Sequence, residues 1–137
     1  VQGLAAAAAT GLYGPAKAAS AIVGHVNLYL GDRVAPVLED LQAASPNWFR
    51  GIQHGLTWDP HPDVANNRWD QKDQLSSEGF RTGARVLDRM GFSFDAWMYF
   101  HQLPELVKFA NAVAELTFIL NHIGGVLRFG PYANRDE

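Results

Sequence analysis

Apolar positions along this chain follow two different spacings in turn. Short apolar runs bounded by turn residues lie at 21–28, 48–54, 94–100 and 116–120, and each predicts a buried strand. Between them the spacing becomes helical. Over 33–44 the residues Val34, Val37, Leu38 and Leu41 share one face. Over 77–90 the apolar set is Phe80, Ala84, Val86, Leu87 and Met90, with Gly91 as the stop, and a third helix is predicted over 103–114. Alanines make residues 1–9 helical up to Gly11 and Gly14-Pro15. Residues 55–76 carry neither period, and an irregular stretch of that length inside a domain is expected to be a functional loop or lid.

Strand and helix therefore alternate, which demands a parallel sheet with right-handed crossovers and places the chain in the α/β class. Nothing in the pattern closes the sheet. A (β/α)8 barrel needs about 250 residues. The 137 residues here are expected to be about four β/α units, a single partial barrel domain over 1–137. Beginning within a helix and stopping in a loop, the chain reads as the central portion of a longer protein.

Composition narrows the partners. Eleven Lys and Arg are scattered and the net charge is −3, so no basic surface is offered to nucleic acid. The apolar stretch around Leu4–Ala9 is too short to span a bilayer, and no charged segment precedes it, so neither membrane nor signal peptide is expected. With no cysteine, disulfides and thiolate chemistry are excluded and a metal would have to be held by His and carboxylate. A cytoplasmic location is compatible with this.

Candidate chemistry gathers where strands end. Asn121-His122-Ile123-Gly124-Gly125 follows the fourth run and His101-Gln102 the third, so both imidazoles are expected at C-terminal strand tips, where barrel enzymes keep their active sites. His54 ends the second run, although Gln53 competes with it for the inward face because side chains alternate along a strand. His25 is expected to be structural and His61 exposed. Trp58 and Trp69 can stack on a planar substrate or pin the long loop, whereas Phe94 and Trp97 belong to the core. Arg50, Arg68 and Arg128 can grip a carboxylate, with Arg128 the best placed after the last strand.

Taken in order, Val23-Gly24-His25-Val26-Asn27-Leu28, Phe49-Arg50-Gly51-Ile52-Gln53-His54, Phe94-Asp95-Ala96-Trp97, His101-Gln102-Leu103-Pro104-Glu105-Leu106, Leu120-Asn121-His122-Ile123-Gly124-Gly125 and Gly130-Pro131-Tyr132-Ala133 resemble the amidohydrolase-related family, in its pyrone-dicarboxylate lactonase-like branch. The resemblance covers nearly the whole chain. It implies a TIM barrel, here from the second helix to just past the sixth strand, and a metal-dependent hydrolase. It carries metal and catalytic roles onto His101 and His122, with zinc the expected ion, although branches of the family also work without metal. The family's His-x-His pair and its eighth-strand Asp have no counterpart here, and Gln53 and Asn27 stand where relatives often have Arg and Asp.

The expectation is thus hydrolysis of a lactone, amide or related ester bond in a small-molecule substrate. His54, Gln53, Arg128 and Trp58 would contact that substrate. A decarboxylase or hydratase on the same fold, or a non-catalytic scaffold, are the alternatives. Because a partial barrel leaves strand edges open, the isolated segment is expected to be inactive and to self-associate as a homo-oligomer.

Overall fold

A computed structural model describes residues 1–66 and 72–133. Four strands, β1 (Ile22–Gly24), β2 (Phe49–Gly55), β3 (Ser93–Trp97) and β4 (Phe118–Leu120), form one sheet in the order β1-β2-β3-β4. All three pairings are parallel. Helices α1 (Gln2–Ala9), α2 (Ala35–Ala44), α3 (Glu78–Arg89) and α4 (Leu103–Ala112) precede and separate the strands, so the chain has the α/β architecture expected of it.

Local chemistry explains the boundaries that differ from the pattern. The first strand is three residues long rather than eight, because the Asn27 side chain accepts from the Tyr29 amide at 3.0 Å and starts a 3-10 segment, Leu28–Val34. That segment bends at Gly31, with φ 60 and ψ −134, so α2 opens at Ala35 with Pro36 in its first turn. At the other end of α3, Gly91 takes φ +72 and its amide donates to Asp88 at 2.9 Å. The Phe92 amide donates to Leu87 at the same 2.9 Å, which completes a Schellman stop and sends the chain into β3.

The sheet buries one face against the helices. Phe80 of α3 meets His54 and Phe94 edge-on at 5.0 and 5.9 Å, and Phe109 of α4 meets Phe94 and Phe118 at 5.8 and 5.5 Å. Ile52, Phe80, Phe94, Ala96 and Phe109 are wholly buried there. Helix α3 also packs against the 3-10 segment, which requires Gly83, since a Cβ at that position would lie 2.3 Å from the Leu28 carbonyl oxygen. By strand alternation Val23, Gln53, Asp95 and Ile119 point to the opposite face, where Val23 and Ile119 are about half-exposed. No helix among the described residues is long and apolar enough to cross a membrane.

Candidate functional site

The loops that leave β2, β3 and β4 converge at the C-terminal ends of the strands. The loop after β2 continues the ladder for one residue, Leu56 N–H to Trp97 O at 2.7 Å, and then turns through Thr57, Trp58 and Asp59. Asp59 is 2% exposed, an unusual place for a carboxylate. Its Oδ1 accepts from the His61 amide at 2.7 Å, an Asx turn favoured by the intervening Pro60. Its Oδ2 accepts from the Tyr132 hydroxyl at 2.6 Å, and His101 Nε2 lies 2.8 Å from Asp59 Oδ2 as a charge-pair contact without hydrogen-bond geometry. The Asn66 side chain clasps the Asp59 backbone from both sides, accepting from its amide at 2.7 Å and donating to its carbonyl at 2.8 Å.

Burial pushes the Asp59 carboxyl upward, but the Tyr132 hydroxyl, the His61 amide and the His101 imidazole together hold it below the ordinary aspartate value. Asp59 is therefore an anion at neutral pH. Its charge, 2.8 Å from His101 Nε2, favours a proton on that nitrogen over one on Nδ1. Tyr132 stacks on His101 with 6.0 Å between ring centroids and 15° between planes, and Phe100 closes the far edge of Tyr132 at 5.2 Å.

Gln102 locks two of these loops together. Its Oε1 accepts from the Trp58 and Tyr99 amides, both at 3.1 Å, and its Nε2 donates to Leu56 O at 2.8 Å. The turn Phe100–Gln102 is a 3-10 helix following β3, so His101 sits one turn beyond the strand rather than on its last residue. Strand alternation therefore does not decide between His101 and Gln102 at that point.

Beside His101 lies a cleft of about 230 Å³ lined by Trp58, Lys72, Asp73, His101, Gln102 and Glu105. The Lys72 ammonium is 5.7 Å from the Trp58 ring centroid. The Glu105 carboxyl is raised by burial, and Asp73 adds to the rise, while its Oε1 accepts from the Leu75 amide at 3.0 Å.

The structure brings Trp58 and His101 to one cleft; the other candidates from the sequence do not line it. Gln53 points to the far face of the sheet. His54 turns to the helix side, 5.0 Å from Phe80 and 5.1 Å from His25, with Nδ1 2.9 Å from the Gly55 carbonyl. His122 lies past the tip of β4, in a turn where His122, Ile123, Gly124 and Gly125 all have positive φ, and meets Trp97 edge-on at 4.5 Å. Arg128 is exposed, as is Arg50, which is tied to the Phe49 and Asn47 carbonyls. Arg68 and Trp69 lie outside the described residues.

Among the described residues no group of three His, Asp or Glu side chains is arranged to hold a metal. Zinc normally takes three protein ligands and keeps one open position when it is catalytic. His101 and Asp59 face each other at 2.8 Å and no third donor joins them among the described residues, so this donor set does not fit a zinc centre by itself.

No family model matches the chain, and no solved structure does. Among curated proteins it is similar to "Uncharacterized protein y4mH" of Sinorhizobium fredii (strain NBRC 101917 / NGR234), with 29% identity over 103 residues. The match takes in 75% of this chain and 33% of that protein, so the chain spans about a third of the length of the relative it matches.

Proposed function

We propose that these residues form part of a (β/α)8-barrel hydrolase of the amidohydrolase type, in which His101, oriented by Asp59, removes a proton from the water that attacks a lactone or related ester carbonyl. One observation carries the reading: a buried carboxylate, fixed by the His61 amide and the Tyr132 hydroxyl, lies 2.8 Å from an imidazole beside a cleft at the C-terminal ends of parallel strands. The Trp58 indole forms one wall for the substrate. His122, on the next loop, is the second candidate for polarising the carbonyl, and no step is assigned to a metal. Gln53, His54 and Arg128 keep a substrate role only through parts of the protein beyond the described residues.

The test is lactone and ester hydrolysis by the complete polypeptide that carries these residues. His101→Ala should lower kcat by about 100-fold or more, the usual worth of a positioned general base, with the circular dichroism spectrum unchanged. Unchanged turnover in a folded His101→Ala protein rejects this assignment. Activity lost only on His122→Ala moves the chemistry to the fourth strand.

A further inference from the structure

The face of the sheet turned away from the helices is not uniformly apolar. At its centre, on β3, stands Asp95, 8% exposed and flanked in register by Gln53 on β2 and Ile119 on β4. Its side-chain partner among the described residues is the Ser93 hydroxyl, which donates to Oδ1 at a long 3.3 Å. Even that contact depends on a glycine next door: a Cβ on Gly51 would lie 2.0 Å from Ser93 Oγ, so β2 leaves room for the hydroxyl where a side chain would displace it. Among the described residues the strand neighbours of Asp95 are thus neutral, Gln53 on β2, Ser93 on β3 and Ile119 on β4. Burial raises the Asp95 carboxyl above its ordinary value, with Ser93 the only offset.

A buried carboxylate without a cation is costly, and such groups are usually paired. Around it, Val23 and Ile119 are about half-exposed, and among the described residues β1 and β4 each have a neighbour on one side only. The curated relative is about three times the length that this chain matches. We propose that the polypeptide completing the barrel carries a lysine or arginine that enters the barrel interior and pairs with Asp95. The pairing rests on the barrel reading above and is separate from the Asp59–His101 chemistry. Asp95 lies mid-strand, below the loops that hold that site, so its role is to fix the packing of the barrel interior.

Two measurements on the complete protein decide it. Its crystal structure should show a Lys or Arg nitrogen within about 4 Å of the Asp95 carboxylate, the span of an ion pair; this needs no variant to fold. By carbon-13 NMR, with Asp95→Asn identifying the resonance, the carboxyl should titrate about one unit or more below the ordinary ~3.9. A closed barrel in which only neutral side chains face Asp95, or a carboxyl titrating above ~3.9, overturns this inference and leaves the barrel standing. Sheet edges at β1 and β4 that stay open in the complete protein overturn both.

Discussion

Tyr132 lies nearly parallel to His101, 15° between planes, and its hydroxyl reaches the same Asp59 oxygen as His101 Nε2, at 2.6 against 2.8 Å. The loop beyond the fourth strand thereby braces an imidazole that belongs to the loop beyond the third. Tyr132→Phe keeps the stacked ring and deletes the hydroxyl. It should destabilise the protein by about 1.5–3 kcal/mol, the cost of one hydrogen bond to a charged group, and raise the Asp59 carboxyl toward the ordinary value. Urea unfolding at neutral pH checks the first effect; a stability equal to the parent's would show that the hydroxyl contributes nothing.

Asp59 makes stability depend on pH, with a definite sign. Its carboxyl is held below the unfolded value, so its contribution is fully present above about 3.9 and is lost as pH falls through the lower folded value. Thermal melts of the parent and of Asp59→Asn should therefore differ most near neutrality and converge in the acid range below about pH 3.9. A gap that stays constant down to that range would mean that the carboxylate charge is not what matters.

Much of the fold was legible because it is written in repeated, redundant patterns. Phe80, Ala84 and Leu87 mark one face of α3, Gly91 marks its end, and four apolar runs recur in a parallel β/α rhythm that no single misread residue can upset. Strand ends were less legible. Asn27 and Gln102 each use one side-chain hydrogen bond to turn the backbone into a 3-10 segment, and such local competition with the ladder leaves no period in the sequence. The candidate site divides in the same way. The places of His101 after an apolar run and of Trp58 at the edge of the long loop make these two legible as candidates. Asp59 and Tyr132 were not, since their pairing joins residues 73 apart in the chain. The one local signal was Asp59 before Pro60, an Asx-turn pattern that fixes a carboxylate in space without saying what it faces.

Gln102 offers a sharper test of how the site is assembled. Its amide answers two backbone N–H groups and one carbonyl from the loops after β2 and β3. Gln102→Leu preserves the volume and strands all three, so a loss of roughly 2–4 kcal/mol is expected from unsatisfied buried groups. Because Trp58 and Tyr99 lose their shared anchor, hydrogen exchange at their amides should accelerate more than in the core strand β3. Uniform acceleration throughout the chain would instead make Gln102 an ordinary core residue.

The turn after β4 predicts a substitution that stabilises. Ile123 holds φ 54 and ψ 34, a left-handed conformation that crowds a β-branched side chain, yet it is 84% exposed and so recovers almost nothing by burial. Gly124 and Gly125 follow with φ 75 and 51, conformations that glycine adopts without strain. Ile123 therefore stands in a backbone conformation suited to its neighbours. Ile123→Gly relieves about 1–2 kcal/mol of local strain but gives the unfolded chain more freedom, worth about 0.4–1 kcal/mol in the opposite direction. The net expectation is a gain of up to about 1.5 kcal/mol, read as a higher urea midpoint with an unchanged slope. Strain of this kind collects at functional positions, and His122 shares the turn with φ 50. The same substitution should therefore loosen His122 from the edge of Trp97, measurable as a weaker ring-current shift on the imidazole protons. A lower midpoint would show that Ile123 makes a contact worth more than its strain.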